Sequence, residues 1–446
     1  MIDNSTIVAI ATANGIGSIS ILRLSGKNAL SIAKKITNKE NFQPRLATLA
    51  NIHDNNQNII DEALILYFKA PFSFTGEDVV EFQCHGGVAI ANMLINEILK
   101  YDARLAQPGE FSKRAFLNNK IDLSKAEAIS KIIEARSEDA VRLLAKQLKG
   151  ELKDFVNEIR EDLLFMLAYT EVTIDYAEDD LPDDILETIE RKIDNTIIKL
   201  DNTLDASKRR EGMIEGFKVA IIGKPNVGKS SLLNKLLNFE RAIISDIAGT
   251  TRDTIEESVK IGTHIIKIVD TAGIRNADDT IEKIGIEKSI QAIDEAEIVI
   301  ALFDNSKECD DEDLRIIDLL SQNNHKQIIK VLNKADLENK FDKSKIDEHI
   351  EISTKQDIKP LIQAVEKILD KNTHSDEMSL ISKRQVVAVE KTLYNIENAK
   401  TPLETGELEF FAHYINEAIL EISNITRPYE NDEMLDVMFG EFCLGK

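Results

Sequence analysis

The stretch "FKVAIIGKPNVGKSSLLNKLLN", residues 217–238, decides the fold of its part of the chain. An apolar run typical of a buried strand leads directly into the pattern GxxxxGKS at 223–230, and a segment with helical character follows. In this context loop amides and the helix N-terminus surround a β-phosphate, while Lys229 pairs with phosphate oxygens and Ser230 reaches Mg²⁺. The sequence therefore predicts a phosphate-binding loop within an α/β domain.

Three further motifs follow in the order expected of a guanine-nucleotide domain. "SDIAGTTRD" offers switch hydroxyls for Mg²⁺, "DTAG" follows a strand, and "NKAD" follows another. The Asp336 carboxylate can accept hydrogen bonds from N1–H and the 2-amino group of guanine, a donor pair that adenine lacks. "EIST", 351–354, is expected to offer an amide to guanine O6. The residues predicted to bind GTP are Asn226, Val227, Gly228, Lys229, Ser230, Ser231, Ser245, Asp246, Ile247, Ala248, Gly249, Thr250, Thr251, Asp270, Thr271, Ala272, Gly273, Asn333, Lys334 and Asp336.

Catalysis of hydrolysis needs a group that orients water. In the Ras-like arrangement a Gln just after DxxG does this, but Ile274 stands at that position and cannot polarise water. Two candidates within the module stay open, Glu282 in "ADDTIEKIGIE" and Asn226 in the phosphate loop. The sequence shows no evident arginine that would neutralise the γ-phosphate.

The overall composition indicates a multidomain globular protein. The chain has 446 residues, of which 43% are hydrophobic and 30% charged, and its formal net charge is -23. This acidity argues against a wide nucleic-acid-binding surface, so any RNA contact is expected to be local or supplied by a partner. Three widely spaced cysteines without a CxxC pair predict neither a disulfide framework nor a structural zinc site, which favours the reducing cytoplasm. We expect no membrane span.

The pattern of apolar residues changes three times along the chain. Residues 1–118 predict an α+β domain, 119–212 and 375–446 are helical, and 216–372 alternate strands with helices. One apolar stripe, from Val141 to Met166, predicts a single long helix. The expected fold is an N-terminal α+β domain and a discontinuous α-helical domain, into which an α/β P-loop domain with a Ras-like parallel sheet is inserted.

Several motifs together give a family resemblance over nearly the whole chain. They are the phosphate loop, "SDIAGTTRD", "DTAGIR", the opening "TIVAIATANGIGSISILRLSG", "PGEFSKRAFLNNKIDLSKAEAI" and the final "FCLGK". With these motifs the chain resembles the MnmE (TrmE) family of tRNA-uridine-modifying GTPases. The resemblance implies a homodimer whose nucleotide domains pair during hydrolysis.

The resemblance also implies which residues bind metal ions and activate water. Mg²⁺ would be bound by Ser230 and Thr251, and K⁺ by Asn226, Ser245, the carbonyl of Ile247, and Thr250. The K⁺ ion would stand where an arginine finger stands elsewhere, because one added positive charge at the β–γ bridge is physically sufficient. The water-orienting glutamate of the family matches Glu282.

For the N-terminal domain the resemblance implies dimerisation and binding of 5-formyl- or 5,10-methylene-tetrahydrofolate. The matching positions are Arg23, Glu81, Lys120 and, from the chain end, Lys446. Cys443 in "FCLGK" does not form a prenylation signal, because Gly and Lys end the chain. Whether this thiol takes part in chemistry or is structural stays open, since its pKa decides its reactivity.

The implied function is GTP-driven formation of 5-carboxymethylaminomethyl or aminomethyl uridine at the tRNA wobble position, with a flavoprotein of the MnmG/GidA type. The alternative is a ribosome-assembly GTPase of the Era or Der type, which shares "NVGKSSL" and "TTRD". That class is expected to carry a basic RNA-binding appendage, which the sequence does not indicate. A folate-dependent methyltransferase that acts alone is a third possibility.

Overall fold

The structure is a computed structural model that describes residues 4–371 and 377–445, apart from 14, 176–184, 240–256, 270–289, 325, 428–431, 441 and 443–444. The chain separates into two compact units. Residues 1–130, 150–181 and 398–446 form the first, and residues 131–149 and 182–397 form the second. The domain boundaries expected from the sequence stay predictions.

A six-stranded mixed sheet forms the centre of the first unit. Its strands lie in the order β3-β4-β5-β2-β1-β6, and β6 runs parallel to β1 while the other neighbours are antiparallel. Apolar side chains on one face, including Leu22, Leu24 and Phe82, are fully buried beneath helices α1 and α2. The strands are β1 (Thr6–Ile10), β2 (Ile19–Ser25), β3 (Thr48–His53), β4 (Ile59–Phe68), β5 (Val79–His85) and β6 (Ala103–Leu105).

The helices of the first unit cover this sheet or pack on one another. Helix α12 packs along α6, and α13 packs on α3, where a side chain at Gly109 would collide with the carbonyl of Phe439. These helices are α1 (Ala29–Thr37), α2 (Val88–Ile98), α3 (Glu110–Leu117), α4 (Leu123–Glu134), α6 (Glu151–Asp175), α12 (Leu408–Ser423) and α13 (Asp432–Gly440).

The second unit contains another six-stranded sheet, in the order β12-β11-β10-β7-β9-β8. All neighbours are parallel except β8, which is antiparallel to β9. The central strand β10 is buried along its whole length, which fits its run of six apolar residues, IVIALF, before Asp304. The strands are β7 (Phe217–Ile222), β8 (Glu257–Ile261), β9 (His264–Val269), β10 (Ile298–Asp304), β11 (Gln327–Asn333) and β12 (His349–Glu351).

Helices cover both faces of this second sheet. Leu232 of α8 and Leu361 of α10 lie in the core on one face, and Leu320 of α9 lies in the core on the other. The helices of this unit are α5 (Glu138–Leu148), α7 (Ile185–Glu215), α8 (Lys229–Phe239), α9 (Asp311–Gln322), α10 (Lys359–Lys371) and most of α11 (Lys383–Thr405), with a short 3-10 turn at Lys343–Lys345. The predicted multidomain class, with its α+β, helical and P-loop parts, is confirmed.

The prediction of one helix from Val141 to Met166 is wrong, because α5 ends at Leu148 and α6 begins at Glu151. Gly150 has φ +101, which a right-handed helix cannot contain and which glycine adopts at little cost. The apolar spacing from Leu148 to Leu152 continues through this turn, so periodicity alone does not reveal it.

Within the described ranges, none of the helices combines the length and apolar character needed to cross a membrane.

Candidate functional site

The loop between β7 and α8, residues 223–228, has the sharp turns of a phosphate cradle. Gly223, Asn226 and Gly228 all have positive φ, at +150, +64 and +108. A Cβ at Gly223 would collide with the carbonyl of Leu302, and one at Gly228 would collide with the side-chain amide of Asn333. Only glycine fits these two positions, and the loop leads straight into the N-terminus of α8, whose first amides have no partner within the helix.

Lys229 places its ammonium group against the backbone of this loop. Its Nζ donates to the carbonyl of Gly223 at 2.5 Å and to that of Lys224 at 3.0 Å. Burial lowers its pKa. Because carbonyl oxygens orient the ammonium without cancelling its charge, the loop presents a positive group suited to an anion. Ser230 and Ser231 follow at the start of α8, where Ser230 is half-buried.

Asn333 joins the loop to the end of the sheet. It is fully buried, and its Nδ2 donates to the carbonyl of Val227 at 2.8 Å. Its Oδ1 accepts from the amide of Thr354 at 3.0 Å. An amide of "EIST" is expected to serve guanine O6, and that of Thr354, the last residue of the stretch, is bound within the protein.

Lys334 holds the same loop at a second point. Its Nζ donates to the carbonyl of Asn226 at 2.9 Å and pairs with Oδ2 of Asp304 at 2.6 Å. Burial opposes ionisation of Asp304, but the bonds from Lys334 and Ser306 outweigh it and lower the pKa of this carboxyl. Asn333 and Lys334, the first two residues of "NKAD", therefore position the phosphate loop.

Asp336 stands where the guanine base would be recognised. Its Oδ1 accepts a hydrogen bond from the hydroxyl of Ser353 at 2.6 Å, and this bond is the main cause of its lowered pKa. The carboxylate is exposed and ionised at neutral pH, so its oxygens can accept two further hydrogen bonds.

Many of the predicted site residues lie outside the described residues. They are Ser245, Asp246, Ile247, Ala248, Gly249, Thr250, Thr251, Asp270, Thr271, Ala272, Gly273, Glu282, Cys443 and Lys446.

Lys224, which the sequence reasoning missed, is the second residue of the loop. Its Nζ lies 2.6 Å from Oδ2 of Asp310 and 2.6 Å from Oδ2 of Asp313. The acidic run "DDED" at 310–313 is a signal for a basic partner, but 86 and 89 residues separate it from Lys224.

In the first unit, strand register brings two predicted folate residues together. Arg23 of β2 lies opposite Glu81 of β5, and Nε of Arg23 is 2.9 Å from Oε1 of Glu81. The guanidinium also lies 5.8 Å from the ring centroid of Phe74 and 5.7 Å from that of Phe111. Phe111 is fully buried, whereas Phe74 is half-buried, so Phe74 beside the charged pair is the ring that a flat, polar ligand could contact.

Lys120 and Gly445 approach neighbouring backbone. A Cβ at Gly76 would lie 3.0 Å from Cε of Lys120, so Lys120 contacts the loop that also carries Phe74. Gly445, beside Lys446, lies against the carbonyl of Ile10, and Ile10 pairs with Leu22 next to Arg23. Distant segments of the chain thus converge on one region.

A group of paired charges, here called the arginine–glutamate cluster, lies in the same unit and was not predicted. It consists of Glu77, Arg104, Glu110 and Arg114. Arg114 is only 5% exposed and lies 3.1 Å from Glu77 and 2.9 Å from Glu110. Burial opposes ionisation of Glu110, but bonds from Arg104, Gln107 and Arg114 prevail and lower its pKa.

Among solved structures, one similar chain is that of Era in complex with MgGDPNP and nucleotides 1506–1542 of 16S ribosomal RNA. It shares 27% identity, covers 40% of this chain and 66% of its own, and has a TM-score of 0.27. A TM-score this low carries no argument about fold or function.

Sequence comparisons with known proteins are more informative. Residues 6–120 match the family described as GTP-binding protein TrmE N-terminus, and residues 123–443 match the MnmE helical domain. The tRNA modification GTPase MnmE of Aliarcobacter butzleri (strain RM4018) is 75% identical over 446 residues, which is 100% of both chains. The protein of the same name from Sulfurimonas denitrificans (strain ATCC 33889 / DSM 1251) is 61% identical over 442 residues, 99% of each chain.

A third relative, tRNA modification GTPase MnmE of Sulfurovum sp. (strain NBC37-1), is 57% identical over 444 residues and covers 99% of each chain. The resemblance expected from the motifs is therefore confirmed over the full length. The chain belongs to the tRNA modification GTPase MnmE family.

Proposed function

We propose that this chain is a K⁺-dependent GTPase that, with a flavin-dependent partner, forms 5-carboxymethylaminomethyl or aminomethyl uridine at the tRNA wobble position from a folate one-carbon unit. Family membership supports the coarser part, GTP hydrolysis in tRNA modification. The observation that carries the nucleotide half is the linked arrangement of Asn333, Lys334 and Asp336 with the phosphate loop.

Guanine selection follows from the ionised carboxylate of Asp336. Because Ser353 holds one oxygen, the carboxylate has a set direction and remaining acceptor capacity for N1–H and the 2-amino group. Adenine, which presents an acceptor at N1, cannot satisfy it. Lys229 supplies positive charge at the phosphate end of the same site.

The chain offers suitable oxygen ligands for two metal ions. Ser230, at the first turn of α8, would bind Mg²⁺ together with Thr251, as is usual for a hard cation at phosphates. Asn226, Ser245, Ile247 and Thr250 would bind K⁺. The left-handed backbone of Asn226, with its carbonyl held by Lys334, supports a fixed ligand position there. When bound, the two ions supply positive charge against the negative charge that develops on the phosphates.

Glu282 is the residue that we assign to water activation. A carboxylate can accept a hydrogen bond from the attacking water and hold it in line, which the apolar Ile274 cannot do. This assignment rests on the family match of the position.

The first unit is the proposed site for tetrahydrofolate. The pairing of Arg23 with Glu81 beside the half-buried Phe74 supports it, as does the approach of Lys120 to the same loop. The charged groups would bind the glutamate tail and the polar edge of the ring system. Lys446 would join from the chain end, and Cys443 stays a candidate for chemistry or for a structural role.

The proposed partners are a second copy of the chain, a flavoprotein of the MnmG/GidA type, and tRNA. A net charge of -23 favours local tRNA contacts or delivery of tRNA by the flavoprotein. We also propose that the protein acts in the cytoplasm, because its relatives are tRNA modification GTPases.

The modification itself is tested by mass spectrometry of tRNA nucleosides from a strain that lacks the gene. We expect 5-carboxymethylaminomethyl and aminomethyl uridine to disappear and to return when the chain is re-expressed, but not when its Glu282→Ala variant is. Unchanged wobble uridines in the deletion strain would contradict the proposal and favour the ribosome-assembly role.

The ion requirement is tested by GTP turnover at equal ionic strength in K⁺ and in Na⁺. We expect turnover to be at least about tenfold faster in K⁺, because one well-placed charge contributes this much to a transition state or more. Asn226→Ala should remove the difference. Equal rates for the unsubstituted protein in the two salts would remove Asn226 from the catalytic account.

A further inference from the structure

Lys224 belongs to the phosphate loop, but its buried side chain binds two carboxylates and does not contribute its charge to the phosphate site. The side chain is 8% exposed, and its ammonium lies between the carboxylates of Asp310 and Asp313 at 2.6 Å from each. The neighbouring residues are Gly223, with φ +150, and Pro225, so this ion pair lies at the first bend of the loop.

The two carboxylates belong to a rigid structure. Asp310 is the N-cap of α9, its side chain accepts from the amide of Asp313 at 3.1 Å, and Asp313 accepts in return from the amide of Asp310 at 3.3 Å. Strand β10, which precedes this helix, pairs in parallel with β7, which precedes the loop. Both connections therefore leave the same edge of the sheet, and a capping box fixes the anchor for Lys224.

The backbone of Lys224 links this anchor to the phosphate-binding charge. Its carbonyl accepts from Nζ of Lys229 at 3.0 Å. The far side of the loop is held separately, by Lys334 at Asn226 and by Asn333 at Val227. Without the anchor, the first half of the loop would depend on backbone contacts alone.

We propose that Lys224, bound by Asp310 and Asp313, is a positioning residue that holds the phosphate loop in the shape that binds GTP. It acts through the Lys224 carbonyl on the ammonium of Lys229. The inference rests on the proposed nucleotide site and adds a group that contacts no phosphate itself.

Lys224 could instead serve only to stabilise the fold, without positioning the loop for GTP. Asp313 is 1% exposed, and its Oδ1 has no hydrogen-bond partner among the described residues, so Lys224 also compensates a buried negative charge. Loss of Lys224 is therefore expected to lower stability whether or not it positions the loop.

Three variants at this anchor and one control, all in the full-length chain, separate the roles. Lys224→Met removes the anchor and leaves the buried carboxylate, whereas Lys224→Met with Asp313→Asn removes both charges and keeps an acceptor for the capping box. Lys224→Arg retains a cation that can bridge two carboxylates. Arg209 lies on α7 of the same unit, and Arg209→Met, which removes its exposed ion pair with Glu377, is the matched control. Affinity for fluorescent GDP and GTP analogues and the urea midpoint are measured for each.

We expect Lys224→Met to lower the affinity for both GDP and GTP by about tenfold, since small displacements in a preorganised site have effects of this order. The double variant should regain stability without regaining affinity, and Lys224→Arg should stay within about threefold of the unsubstituted protein. Recovery of full affinity in the double variant would overturn the inference. If the unsubstituted protein binds GTP but modifies no tRNA, the proposed function fails while this test still stands.

Discussion

Arg114 of the arginine–glutamate cluster and Lys229 of the phosphate loop use their positive charge in opposite ways. In the cluster, Arg114 is paired with two carboxylates, so its charge is cancelled within the protein. In the loop, the contacts that orient Lys229 are carbonyl oxygens, which leave its charge intact, and burial lowers its pKa. A buried cation paired with carboxylates indicates architecture, whereas one held by carbonyls indicates a place for an anionic ligand.

The largest effect is expected from breaking the paired region. Arg114→Met leaves Glu77 and Glu110 short of a buried partner, and loss of one member of a buried ion pair costs about 3–5 kcal/mol of unfolding free energy. Urea denaturation measures it. Arg142→Met is the control, because this arginine is 75% exposed and the carboxylates of Glu138 and Asp139 are each 3.8 Å from its guanidinium. Equal losses for the two variants would show that the cluster does not stabilise the unit.

A change in the loop should instead affect the ligand. Gly228→Ala places a methyl group against the side-chain amide of Asn333 at φ +108, so nucleotide affinity should fall by about 100-fold. Gly406→Ala is the control, because it carries similar backbone strain at φ +76 but has open space around the new methyl group. Isothermal titration with GDP distinguishes them. Normal affinity in Gly228→Ala would mean that this loop is not the nucleotide cradle.

The smallest effect concerns acid stability of the second unit. Because the pKa of Asp304 is lowered by Lys334 and Ser306 against the effect of burial, its stabilisation is complete above the unfolded pKa of about 3.9. That stabilisation is lost as pH falls through the lower folded pKa. The unfolding free energy should therefore drop less steeply below pH 4 in Asp304→Asn than in the unsubstituted protein. Ser306→Ala should lie between them, and identical slopes would contradict the assignment.

The parts of the site that the sequence predicts best are formed by residues that are neighbours in the chain. The glycines and Lys229 of the loop lie within eight residues, 223–230, so the motif itself specifies the turn and the charge. Arg23 and Glu81 are 58 residues apart, and strand register alone brings them together. From the residues alone nothing links them, and the family resemblance was needed to name them.

Two features that the sequence does not reveal, the Lys224 ion pair and the helix break at Gly150, have physical causes of the same kind. The motif contains Lys224, but its partners Asp310 and Asp313 lie beyond strand β10 in the sequence, so the motif does not reveal the ion pair. The apolar spacing predicts one long helix because it continues across Gly150, where only the positive φ breaks the helix. Tertiary contacts and single backbone angles leave little trace in composition or periodicity.

The most direct test of the nucleotide site is a change of base preference at Asp336. Xanthine carries an oxygen where guanine carries its 2-amino group, so an asparagine amide at this position would donate to it. For Asp336→Asn we expect GTP affinity to fall at least about tenfold, because a charge-assisted bond is lost, and xanthosine triphosphate affinity to rise. Retention of the original preference for GTP in this variant would contradict the account.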